Sequence, residues 1–123
     1  MSGLSSVAIK CHDLEAQRRF YEALSGSAFS EVDVGVPGMR CLFGRGWGLT
    51  LKLVSGREGQ DFEGYPVHQL GLRVDDIEAI VKAAELAGGR REGELARDDA
   101  GRVVAGCVRD PDGNTLELES PAP

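Results

Sequence analysis

The chain has 123 residues, enough for one domain with a substantial core, and 20 acidic against 14 basic residues give it a formal net charge of -6. Phosphate affinity is supplied mainly by Lys and Arg, so this balance argues against a general nucleic-acid binder. No stretch approaches the roughly 18 consecutive apolar residues of a membrane span, and Met1-Ser2-Gly3 lacks the opening of a signal peptide, so a soluble cytoplasmic protein is expected.

The first strand is read from Val7-Ala8-Ile9-Lys10-Cys11, with Val7, Ile9 and Cys11 on the packed face and Ser6, Ala8 and Lys10 on the other. Asp13 opens a helix whose apolar positions Ala16, Phe20, Ala23 and Leu24 recur at helical spacing, and Ser25-Gly26 stops it. From Phe29 to Val54 the pattern predicts three short strands. They reverse between Gly35 and Gly38 and again at Gly44-Arg45-Gly46-Trp47-Gly48, and the last strand is Thr50-Leu51-Lys52-Leu53-Val54. A polar, Gly-containing linker from Ser55 to Gly64 follows.

Gln69 to Val74 reads as a strand, and Asp75 is the expected cap of a second helix, with Glu78 completing a capping box. Ile77, Ile80, Val81, Ala84 and Ala87 form its apolar stripe, and Gly88-Gly89 ends it. The mixed-charge tracts Arg90-Arg91-Glu92-Gly93-Glu94 and Arg97-Asp98-Asp99 read as solvated loops. Asp110-Pro111-Asp112-Gly113-Asn114 specifies a tight turn, and the alternating run behind it sends Leu116 and Leu118 to one face and Glu117 to the other. The facing of Cys107 and Arg109 depends on whether their strand contains a bulge. The three cysteines, Cys11, Cys41 and Cys107, are widely spaced without a CxxC pair, which favours buried thiols over a disulfide framework or a structural zinc site.

Displacing the first half by 63 residues superposes Asp13 on Asp76, Glu15 on Glu78, Ala16 on Ala79, Glu22 on Glu85 and Gly26 on Gly89. Once the loops differ by two residues, Thr50–Val54 also lies over Thr115–Glu119. Two tandem βαβββ modules follow, over 5–56 and 67–119, joined by a linker at 57–66 within one domain spanning 1–123. A lone module leaves one sheet face uncovered and its edges unpaired. The expected class is therefore α+β, the modules forming a cupped mixed sheet around a central cavity.

In this order and spacing the chain resembles the vicinal oxygen chelate superfamily, which includes glyoxalase I, bleomycin-resistance and fosfomycin-resistance proteins and extradiol dioxygenases. The resemblance rests on Cys11-His12-Asp13-Leu14-Glu15, Val74-Asp75-Asp76-Ile77-Glu78, the Phe20-Tyr21 pair and the Asp110 turn before Leu116-Glu117-Leu118. It implies paired modules and a homodimer. It also implies a metal-ligand set drawn from the first and last strand of each module, which here falls on Ser6, Lys52, Gln69 and Glu117. Ser6 is a poor divalent ligand and Lys52, as an ammonium, cannot coordinate, so a degenerate set is expected, with Lys52 pairing with Glu117 in place of an ion. Alternation sends His68 away from the cavity unless its strand starts one residue earlier or bulges, and His12 is expected at a helix mouth in solvent.

Lys10 and Arg73 superpose in the repeat and point inward. They are candidate contacts for a carboxylate, phosphate or enolate, or else partners of Glu117 and Glu119. Trp47 would cap an apolar pocket or a dimer contact, or fold back onto its own hairpin. The leading expectation is a protein that binds or sequesters a small anionic or aromatic molecule through Lys10, Lys52, Gln69, Arg73 and Glu117, without a required cofactor. The alternative is a metal-dependent lyase, isomerase or dioxygenase in which Glu117 and either Gln69 or His68 hold a divalent ion, or a metal-free enzyme with Glu117 as base.

Overall fold

Alternation from Ser6 onward produces β1 (Ser6–Cys11), followed by α1 (Leu14–Ser25), β2 (Ser30–Val32), β3 (Arg40–Gly46) and β4 (Leu49–Ser55). The structure is a computed structural model that describes residues 6–35, 37–55 and 69–121. The chain divides into two compact units, Met1–Pro66 and Val67–Pro123. In the first, the strands lie in the order β1-β4-β3-β2, with β1 parallel to β4 and the other neighbours antiparallel.

Asp13 caps α1 by accepting a hydrogen bond from the Ala16 N–H at 3.0 Å, and Gly26 ends it at φ 74°, a conformation that glycine adopts without penalty. The buried face carries Leu14, Gln17, Phe20, Tyr21 and Leu24. This differs from the expected stripe, because Ala23 is exposed and Gln17 and Tyr21 are inside. The large rings set the rotation of the helix: Phe20 and Tyr21 pack edge to face with centroids 5.0 Å apart, and burying them removes far more apolar area than an alanine can.

The glycine-rich reversal is also shorter than its composition suggests. Gly44, Arg45 and Gly46 belong to β3, and the turn is the pair Trp47-Gly48, with φ of 54° and 79°. Positive φ at both central residues is the two-residue hairpin geometry that matches strand twist. Gly44 serves close packing instead of a turn, since a Cβ there would lie 2.5 Å from the Phe29 ring.

The second unit contains β5 (Gln69–Arg73), α2 (Ile77–Leu86), β6 (Arg90–Arg91), β7 (Ala96–Arg97), β8 (Val103–Arg109) and β9 (Thr115–Glu119). Its order is β5-β9-β8-β6, with β7 also paired to β8. The cap of α2 is Asp76, not Asp75: its carboxylate accepts from the Ala79 N–H at 3.0 Å. Glu78 then stands only two residues past the cap, so the expected capping box does not form. Gly88 at φ 96° and the Gly89 N–H donating to the Ala84 carbonyl at 2.8 Å close the helix in a Schellman turn. Ile77, Val81 and Ala84 form its buried face.

The charged tracts read as loops instead supply β6 and β7, which pair with opposite ends of β8 and share one edge of the sheet. An edge strand needs only backbone donors and acceptors, so exposed Arg90, Arg91, Ala96 and Arg97 satisfy it without an apolar face. Each unit is thus βαβββ-like, with the second unit's edge strand broken in two. The repeat extends to the pairing register: Ser6 faces Thr50 and Ala8 faces Lys52 in one unit, while Gln69 faces Thr115 and Gly71 faces Glu117 in the other. Lys52 and Glu117 therefore hold equivalent places. Among the described residues no helix is long and apolar enough to cross a membrane.

Candidate functional site

In the second unit, Leu116 and Leu118 are 0% and 1% exposed, and Glu117 between them is exposed on the opposite, open face. Directly opposed residues of an antiparallel pair project to the same side, which puts Cys107 beside Glu117 and Ala105 beside Glu119. A groove of about 420 Å³ runs over this face, lined by Glu92, Glu94, Cys107, Glu117 and Glu119, with Ala96 and Ala105 between them.

The turn that delivers Glu117 is built around a fully buried Asp110. One carboxylate oxygen accepts from the Asp112 N–H at 3.0 Å and the Asn114 N–H at 2.8 Å, and the other accepts from the Asn114 amide at 2.8 Å. Gly113 supplies the left-handed residue, at φ 89°. The turn is coupled to the groove wall through Arg109. Its Nη1 donates to the Gly113 carbonyl at 2.7 Å, while Nε and Nη2 grip Glu92 at 2.7 and 2.9 Å. The Glu92 N–H donates to the Cys107 carbonyl at 2.9 Å, and the Cys107 thiol lies 3.8 Å from the Glu92 carboxylate.

The Arg109 hydrogen bond holds the Glu92 carboxyl below its ordinary range. Burial, then the Glu92 and Glu117 charges, push the Cys107 thiol up, so this cysteine is not primed as a nucleophile at neutral pH. A depressed folded-state pKa means that the Glu92–Arg109 clasp contributes fully above the ordinary carboxyl value of 4.5 and is lost as the pH falls through the folded-state value. Glu92→Gln is therefore expected to melt earlier than the parent at neutral pH, with the gap closing as the solution is acidified below 4.5. Thermal melts at stepped pH check this, and a gap of constant size would remove the clasp from the account.

In the first unit, Ser6, Lys10 and Lys52 are half-buried on β1 and β4. The Lys52 ammonium lies 5.2 Å from the centre of the Phe43 ring, a cation–π contact with its cross-strand neighbour. Burial raises the Cys41 thiol pKa, with Lys52 opposing. Trp47 is half-buried in the hairpin turn, and His12 is exposed just ahead of the helix cap.

Arg73 is exposed on β5 in register with Glu119. His68 and the side chain of Gln69 lie outside the described residues, although the Gln69 backbone pairs with Thr115. The residues missed from sequence are Glu92 and Glu94, which form one wall of the groove. Their period-2 spacing with Ala96 was the available signal, masked by the charge of the tract. Cys107 and Arg109 acquire definite positions here, Cys107 on the open face and Arg109 clasped to Glu92. The described ligand positions do not fit a divalent ion, since Lys52 cannot coordinate and no three His, Cys, Asp or Glu side chains converge among the described residues.

Two βαβββ-like units with mixed sheets, each last strand parallel to the first, define the vicinal oxygen chelate fold. A family model described as a glyoxalase-like domain matches residues 6–119, and the chain belongs to that family. Among solved structures, the fosfomycin resistance protein of Mesorhizobium loti is 17% identical with a TM-score of 0.72, over 99% of this chain and 94% of that one. A glyoxalase/bleomycin resistance protein from Albidiferax ferrireducens is 23% identical with a TM-score of 0.69, over 98% of this chain and 100% of that one. The Leishmania major glyoxalase I is 22% identical with a TM-score of 0.71, over 98% and 87% respectively. At these identities the shared property is the fold. No curated protein shows significant sequence similarity to the chain.

Proposed function

We propose that this chain is a binding protein of the glyoxalase/bleomycin-resistance type, holding a small organic molecule against the open face of its sheets without a resident metal. The observation that carries this reading is the equivalence of Lys52 and Glu117. They occupy the same register on β4 and β9, yet one is an ammonium and the other a carboxylate opening on a groove of about 420 Å³. A volume of that order suits a small organic ligand. The candidate contacts are, in the second unit taken by itself, Glu117 as polar anchor with Gln69 and Arg73 on the neighbouring strand, and in the first unit taken by itself, Lys10, Lys52 and Trp47. The homodimer implied by the resemblance belongs to the same proposal and is read from mass in solution.

Metal analysis of protein purified without chelators, followed by titration with Ni, Zn, Mn and Fe, tests the reading. The expected result is no stoichiometric binding. One ion per chain, lost in Glu117→Ala, would replace it with a metal-dependent lyase, isomerase or dioxygenase in which Glu117 and Gln69 or His68 are ligands.

A further inference from the structure

Along one edge of the second unit, β6 ends with Arg91 opposite Val108 and β7 begins with Ala96 opposite Ala105. Residues 92–95 therefore span the place of only Gly106 and Cys107, two residues more than a regular edge strand would carry. We infer that these four residues form a strap that opens from β8 as one unit, and that its opening converts Arg109 from a charge held by Glu92 into a free cation on the face that carries Glu117. The strap belongs to the second unit alone and goes beyond the binding reading, standing whether or not the groove takes a ligand.

The strap grips the sheet edge from both sides. On the open face Glu92 and Glu94 line the groove, and Glu92 accepts from Arg109 Nε and Nη2 at 2.7 and 2.9 Å. On the α2 face Leu95 fills the notch left by the missing side chain of Gly106: a Cβ there would lie 2.6 Å from Leu95 Cδ2 and 3.3 Å from Ile77 Cγ2. Leu95 is only half-buried, so the latch on this side is one side chain that swings out without breaking the core. The strap is also built to pivot. Gly93 has φ 74° and a Cβ there would meet nothing within 4 Å, while the register slips between Ala96 and Arg97. Beyond the slip, Arg97 is fixed by Glu78 at 3.1 Å and by the Gly101 carbonyl at 2.9 Å. Cys107 and Arg109 stand two residues apart on β8 and share the open face. When the strap lifts, Arg109 keeps only its bond to the Gly113 carbonyl. Burial and then the Glu92 charge hold the Cys107 thiol protonated, and the second of these leaves with the strap.

Hydrogen exchange and thiol labelling of the full chain test this. In the parent, the Glu92 N–H, bonded to the Cys107 carbonyl, is expected to exchange about tenfold or more faster than the Leu116 N–H of central β9, at a rate that low urea leaves unchanged. Labelling of Cys107 by iodoacetamide, read by mass spectrometry, reports the open face, while Leu95 lies on the other; Cys11 and Cys41 are buried. Leu95→Ala removes the latch and Gly106→Ala fills its notch, and each should raise both Cys107 labelling and solvent exchange of the Arg109 Nε–H by about tenfold. Leu72→Ala, on β5 at the far edge of the sheet, is the control, expected to lower the urea midpoint while leaving both readouts at parent values. Parent-like labelling in both latch variants overturns the strap, because Leu95 and Glu92 would then move separately. An equal rise in Leu72→Ala overturns it too, by showing that the edge opens only when the unit unfolds. Should neither latch variant fold, the parent decides by itself: a Glu92 N–H as slow as that of Leu116 removes the strap.

Discussion

Asp110→Ala is expected to lower the stability of the second unit by about 3 kcal/mol, because it removes one carboxylate that satisfies three donors at once. The Asn114 N–H and side-chain amide are bonded within a buried network, so the variant leaves them without the acceptor the fold supplies and without water to replace it. Asp110→Asn keeps one oxygen acceptor and should recover part of the loss. Urea titrations give the two values. Glu117 adds a second readout, since the turn sets where β9 begins pairing with β8, from Thr115 opposite Arg109. Amide shifts along β9 should move in Asp110→Ala and stay near the parent in Asp110→Asn. An Asp110→Ala variant as stable as the parent would mean that Pro111 and Gly113 hold the turn by themselves.

Gly44→Ala should cost the first unit about 2 kcal/mol, although alanine is the smallest change available. The added Cβ would stand 2.5 Å from two atoms of the Phe29 ring and 2.7 Å from a third. Phe29 cannot easily yield. It is 2% exposed, and its N–H is tied to the Glu22 carboxylate at 2.7 Å, which pins the segment between α1 and β2. The strain should therefore appear as a lowered urea midpoint with an unchanged slope. Phe29→Leu in the same chain should recover part of the deficit, giving a coupling between the two sites that independent positions would not show. Additive effects would place the strain elsewhere.

Both predictions concern glycine and aspartate positions that the sequence marked as turn chemistry, and they turned out to be different things. The Asp110 turn was legible because its signals are local: proline, glycine and a short acceptor side chain act within five residues. The glycines at 44 and 46 carried the same apparent signal but answer to Phe29, Ser25 and Leu51, which only folding brings near. The α2 cap shows a finer limit. Asp75 and Asp76 are both competent, and the choice between them depends on where helical dihedrals begin, although the repeat with Asp13 already pointed to Asp76.

What the amino-acid sequence determined by itself is the duplicated βαβββ frame, the turn at Asp110 and the facing of Glu117 between two buried leucines. These follow from periods of 2 and 3.6 residues and from capping and turn residues, all of them short-range. Only the tertiary structure decided what Glu117 faces. Glu92 and Glu94 reach its face because backbone pairing on β8 brings a charged tract to the sheet edge, and Arg109 sits at the groove without offering it a free charge because Glu92 has taken it. Strand alternation says on which side a side chain lies. The electrostatic character of that side is the sum over strands distant in sequence, and no local pattern contains it.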